Sequence, residues 1–249
     1  MSERNPDRTD MPARRRDGLL RRDDFTPERM DRLAAEARKI GQIVTISEDE
    51  RERALGRTLE RLAGGDAWVF GYGSLMWNPA IHVAESRKAV LRGFHRHFCL
   101  SLHMGRGSLE RPGLMLGLDR GGSCVGVAHR IAAKDVASEM RILWLREMMS
   151  GAYRPAILNA VAGAEKIAVL AFVINRAHPR YEGRLDLEIA ARRIARAEGM
   201  LGTNRDYLYR AVAQLDALGM RDGPLHRLER RVRALAGETK FSSNEGETR

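Results

Sequence analysis

The 249-residue sequence contains only two cysteines, Cys99 and Cys124, and they form neither a metal-type nor a redox-type pair. A multi-disulfide framework is thereby excluded, and a reduced setting with both thiols as small core residues is expected. Cys99 sits among His95, His97 and His103, an arrangement that could suggest a thiol–imidazole nucleophile. Its place in an apolar strand pattern reads instead as a buried, inert thiol. No apolar run reaches the roughly 18 residues that cross a bilayer, and the charged N-terminus lacks the apolar stretch of a signal peptide; a cytoplasmic protein without a membrane partner is expected. A Gly-x-Ser-x-Gly elbow and a phosphate loop ending in Lys-Ser/Thr are both missing, which weakens hydrolase and nucleotide readings. His82, His95, His97 and His103 show no metal-type spacing with a supporting carboxylate, so no metal site is expected. No run interleaves aromatics with cations as a single-strand binder would. The net charge of +10 draws anions in general. Much of the arginine occupies ordinary amphipathic positions, as in Ala191–Arg196, so solvated basic faces rather than a nucleic-acid partner are expected.

What is present suffices for one substantial core and an appendage: 43% of the residues are apolar. Residues 1–27 are dense in arginine, aspartate and proline and read as a disordered tail. Residues 28–65 read as a helical extension. Thr26-Pro27-Glu28 supplies an N-cap and a first-turn proline, and a second helix over Ser47–Ala63 ends at Gly64-Gly65. The catalytic-domain candidate spans 66–236, followed by a flexible tail at 237–249. Within it, strands are predicted at 68–72, 87–93, 95–102, 113–118, 123–131 and 166–174, and helices at 135–149, 186–199, 204–218 and 224–236. Strands clustered first and helices last argue for an α+β fold with a mainly antiparallel sheet or small barrel.

Two features carry chemistry. Trp68–Trp77 begins as an apolar strand and breaks into Gly71-Tyr72-Gly73-Ser74. Glycines there permit positive φ and close approach of a ligand to successive N–H groups, an anion cradle; the plainer reading is a turn. In the helix from Asp135, the residues Val136, Met140, Leu143 and Trp144 share one stripe, and Glu147 falls inside it, while Ser138, Glu139 and Arg141 point elsewhere. Burial near a helix C-terminus raises a carboxyl pKa, which suits proton transfer near neutral pH. The plainer reading is an ion pair with Arg146 or Arg154. Tyr153 can fold back toward Glu147 or simply plug the core, and His129 reads as a satisfied core or edge histidine.

Seven motifs occur in order: Trp68–Trp77, Leu91–Leu100, Arg111-Pro112-Gly113, Gly126–Arg130, Leu143–Met148, Gly151-Ala152-Tyr153 and Asn204–Leu208. Together they resemble the ChaC family of γ-glutamylcyclotransferases over residues 66–236. The resemblance implies a γ-glutamylcyclotransferase-like fold, a small mixed β-barrel with flanking helices. It also implies cleavage of glutathione into 5-oxoproline and Cys-Gly without cofactor; a monomer is expected. It assigns Glu147 as the catalytic acid/base and Val69, Phe70, Gly71, Tyr72, Gly73 and Ser74 as the substrate-binding loop. For the mechanism this implies, Arg96 and Tyr207 are expected as additional contacts. Other γ-glutamyl amides remain open as substrates. So does a regulatory protein, linked to cation transport or nucleic acid through its basic tail.

Overall fold

The computed structural model describes residues 19–39 and 46–238. Five strands close into a barrel in the order β1-β3-β2-β4-β5, with β1 (Ala67–Gly71) returning to a parallel contact with β5 (Glu165–Ile174). The long antiparallel pair is β2 (Glu85–Leu102) and β3 (Gly113–Ile131). Each was expected as two strands. The chain instead runs through, with register shifts at Arg92/Phe94 and Phe98/Leu100, and with Gly93, Gly121 and Gly122 at positive φ where the ribbon bends. A bulge lets one strand turn a corner without breaking its ladder.

The strand β4 (Tyr153–Ala162) has no counterpart among the expected strands, and it carries a proline, Pro155, which a central strand excludes. Pro155 faces only β5, opposite Phe172; β4 meets β2 later, at Val90–Val161 and Leu91–Ala160. The proline therefore sits where β4 has an open edge.

Successive side chains of β1 point to opposite faces. Phe70 enters a cluster with Leu116, Leu118 and Ala171, covered by α4 (Leu187–Arg196), α5 (Asn204–Ala217) and α6 (Gly223–Leu235). Val69 enters a second cluster with Leu170 and Phe172, covered by α2 (Glu48–Arg61) and α3 (Val136–Glu147). The apolar residues of the stripe expected on α3, Val136, Met140, Leu143 and Trp144, are all buried, with Met140 and Leu143 at 0% exposure.

The N-terminal reading needs a correction. Residues 1–18 lie outside the described residues, as do 40–45 and 239–249. Residues 19–26, assigned by composition to the tail, pack on the domain: Phe25 is 6% exposed and precedes α1 (Pro27–Lys39). Glu139, which lies off the core-facing stripe of α3, is nevertheless 1% exposed, where Arg22 pairs with it and the His82 N–H donates to it at 3.0 Å. Among the described residues, no helix is long and apolar enough to cross a membrane.

Candidate active site

The end of β1, the C-terminus of α3, the start of β4 and the first turn of α5 converge on a cavity of about 240 Å³. Glu147, the last residue of α3, opens onto it with 15% of its side chain exposed. A recess of about 30 Å³ lies between Glu147 and the glycine loop, bounded by Tyr72, Gly73, Ser74, Leu116, Tyr153 and Tyr207.

Glu147 is placed in two environments at once. It faces the cavity and it pairs with Arg146, whose Nε lies 3.0 Å from Oε1. Burial raises the Glu147 pKa above its ordinary value, and the charge and hydrogen bond of Arg146 offset only part of that rise. Arg146 also ties the helix end to the loop. It donates to the Ser74 hydroxyl at 2.7 Å and to the Asn78 carbonyl at 2.6 Å. Arg154, the other expected partner, is exposed.

Of the loop residues singled out in the sequence, Tyr72, Gly73 and Ser74 line the recess. Val69, Phe70 and Gly71 do not. They belong to β1, and the side chains of Val69 and Phe70 are fully buried in the two core clusters, so they support the loop from below. Neither Gly71 nor Gly73 takes positive φ; Gly73 sits at φ −130°. Their need for glycine is space. A Cβ on Gly71 would lie 3.0 Å from the Leu75 carbonyl carbon, and one on Gly73 would lie 3.1 Å from the Tyr207 hydroxyl.

The loop is braced on both sides. His129, buried in β3, bonds the Leu75 carbonyl through Nε2 at 2.9 Å and Ser86 through Nδ1 at 2.8 Å, the satisfied histidine expected. Arg96, expected as an additional substrate contact, is absent from the cavity. Its guanidinium donates to the Tyr72 carbonyl at 2.7 Å and pairs with Asp222 at 2.8 Å. It is a positioning residue for the loop.

Three tyrosines wall the recess. Tyr72 donates its hydroxyl to the Phe172 carbonyl and Tyr153 to the Leu116 carbonyl, each at 2.8 Å. Burial raises the pKa of Tyr72, Tyr153 and Tyr207, so all three stay neutral near physiological pH. Tyr153 does fold back to Glu147. Composition offered no sign of Arg106, buried at 9% exposure and lining the cavity, with NH1 donating to the Thr203 carbonyl at 3.0 Å.

Cys99 is no nucleophile: burial pushes its thiol up to about 12, and that of Cys124 to about 11. Among the described residues, no group of three or more His, Cys, Asp or Glu side chains is placed to hold a metal ion. A larger groove of about 630 Å³, lined by Glu110, Arg111, Pro112, Arg192, Arg193 and Arg196, shares no residue with the Glu147 cavity. Arg193 there is already bonded to the Ser101 hydroxyl and the Gly113 carbonyl.

Comparison with known proteins places the chain in a family. The glutathione-specific γ-glutamylcyclotransferase of Escherichia coli K12 is 40% identical over 194 residues, covering 77% of this chain and 84% of that protein. The human glutathione-specific γ-glutamylcyclotransferase 1 is 32% identical over 148 residues, covering 57% of this chain and 67% of that one. A crystal structure of the glutathione-specific γ-glutamylcyclotransferase from yeast superposes with a TM-score of 0.63 at 18% identity, over 68% of this chain and 96% of that chain, which shows a shared fold. The family model described as ChaC-like protein matches residues 67–235, and the chain belongs to that family.

Proposed function

We propose that this protein is a glutathione-specific γ-glutamylcyclotransferase, releasing 5-oxoproline and Cys-Gly, with Glu147 as its acid/base. The observation that carries the mechanism is a carboxyl of raised pKa opening on a cavity beside the glycine loop. The names of the relatives support the substrate.

In a γ-glutamyl amide, the α-amine can attack its own γ-carbonyl. The new N–C bond closes a five-membered lactam, and the old amide C–N bond breaks. Because the reaction is intramolecular, the enzyme's task is to fold the chain into a near-attack shape and to move protons from one nitrogen to the other. Glu147, as carboxylate, takes one proton from the α-ammonium to free its lone pair and, as acid, gives it to the departing amide nitrogen; the second proton, left on the ring nitrogen by the attack, passes through the same carboxylate to the released amine, which ends as an ammonium. Water is not consumed, which suits a walled recess.

The backbone N–H groups of Tyr72, Gly73 and Ser74 hold the α-carboxylate or the developing oxyanion. Arg146 fixes both ends of this pair, since it grips Ser74 and Glu147 together. Arg106, the other cation lining the cavity, suits the remaining substrate carboxylate. Glutathione keeps cytosolic thiols reduced, and such a substrate supports a cytoplasmic setting.

The test is release of 5-oxoproline by purified protein from glutathione and from a set of other γ-glutamyl amino acids and amines. Turnover of glutathione well above the set supports the reading. Turnover of another γ-glutamyl amide instead transfers the mechanism to that substrate, and no turnover of any sinks it.

A further inference from the structure

Leu19 and Leu20 line the same cavity as Glu147, although they precede the family-matched region by more than a helix. The segment that carries them is fastened at several points. Asn78 donates its side-chain amide to the Leu20 carbonyl at 2.7 Å. Arg22 pairs with the buried Glu139 on α3. Phe25 is buried and lies under the Arg146 guanidinium, 5.7 Å from ring centroid to Cζ. Asn78 and Arg146 are themselves joined through the Asn78 carbonyl, and Arg146 reaches Ser74 and Glu147. The segment is thus bonded to the residues that hold the reacting centre.

Its contribution to the cavity is apolar. Leu19 and Leu20 complete a rim with Leu102, Met104, Met149 and Leu201, while the polar groups of the recess gather at the glycine loop and Glu147. The γ-glutamyl part of a substrate is charged and belongs at the loop. The rim is left for the leaving group, whose cysteinyl side chain is small and weakly polar.

We propose that the segment Leu19–Phe25 is a fixed wall of the substrate cavity and that Leu19 and Leu20 set the preference for a cysteinyl leaving group. This rests on the γ-glutamyl reading above. Removing one or two leucine side chains from such a wall is expected to cost about tenfold in discrimination, since a methylene or two in an apolar pocket decides roughly that much.

The experiment compares the full chain with two variants, Leu19→Ala/Leu20→Ala, which keeps the fastenings, and Arg22→Ala, which loosens one. Steady-state rates are measured on glutathione and on γ-glutamylalanine, with thermal melting alongside. The expected result is a glutathione KM raised about tenfold, kcat nearly unchanged, and a glutathione-to-γ-glutamylalanine ratio of kcat/KM reduced by a similar factor in both variants. A purely structural segment would lower the melting temperature and leave that ratio alone. A ratio unchanged in both variants, with wild type active on glutathione, overturns the wall and spares the assigned activity. A wild type inactive on both compounds overturns the activity and the wall together.

Discussion

Glu147 and Asp119 are both carboxylates largely withdrawn from water, and both touch an arginine. Arg146 Nε lies 3.0 Å from Glu147, and Arg176 Nε lies 2.6 Å from Asp119. Their pKa values nevertheless move in opposite directions. For Asp119, burial alone would raise it. Hydrogen bonds from Arg176, the Tyr181 hydroxyl, the Arg120 N–H and His97 outweigh burial and hold the carboxyl well below its ordinary range. Glu147 has only Arg146 on that side of the balance, and burial wins. One arginine does not make a structural ion pair; the number of donors around the carboxylate decides. A saturated carboxylate is locked in its charged form and holds strands together, while an under-supplied one can exchange a proton.

The sharpest way to break this comparison is Glu147→Gln. The amide preserves shape and can still accept from Arg146, but it carries no exchangeable acid. Turnover is expected to fall at least about a hundredfold, roughly 2.7 kcal/mol of barrier, the lower bound for general acid–base roles. The variant should retain the wild-type circular-dichroism spectrum. A rate within tenfold of wild type would remove Glu147 from the mechanism. The pH profile adds a sign. Glu147 must be ionised to receive the α-ammonium proton, so kcat/KM is expected to drop on the acid side at a pH above the ordinary carboxylate value, because burial raises that pKa.

Asp119→Asn probes the opposite partner. Asp119 lines neither part of the Glu147 cavity, so the expected effect is on stability. Hydrogen bonds to a buried charge are worth about 2 kcal/mol net, and that is the expected loss on thermal or urea unfolding near neutral pH. Its folded pKa lies below its unfolded one, so the carboxylate's stabilisation is present above about pH 4, the ordinary aspartate value, and fades as pH falls through the folded pKa. The gap between wild type and Asn should therefore close in acid. A gap independent of pH would mean that packing rather than charge distinguishes them.

The same contrast marks what the sequence discloses. Periodicity exposed the α3 stripe and placed Glu147 on it, because a helix face is a local property. The glycine loop was visible for the same reason, though its glycines proved to be required by the Leu75 backbone and the Tyr207 hydroxyl rather than by positive φ. Nothing local distinguishes Glu147 from Asp119 as proton carriers. The donors around Asp119 come from positions as distant as His97 and Tyr181, and only the closed barrel brings them together. The long strands were cut at Gly93 and Gly121-Gly122 because a bulge and a turn look alike in one dimension. Leu19–Phe25 escaped for a related reason: its fastenings are single contacts to Asn78, Glu139 and Arg146, which leave no period in the text.

Gly73→Ala sharpens the comparison at the loop, with the smallest effect. The backbone angles at Gly73 lie outside the positive-φ region, so the substitution acts through the added methyl group and not through φ-positive strain. That methyl would sit 3.1 Å from the Tyr207 hydroxyl and 3.7 Å from Leu116 Cδ1, tight enough that one of them must give. Overpacking of this kind costs about 1 kcal/mol at its mild end, or about fivefold in kcat/KM if the loop shifts away from Glu147. Tyr207→Phe removes the atom in the way. The double variant Gly73→Ala/Tyr207→Phe should then lose less than the two single losses combined, a coupling that a double-mutant cycle reads directly. Strict additivity would mean that the loop yields elsewhere, and that the Tyr207 hydroxyl does not set its position against the carboxyl.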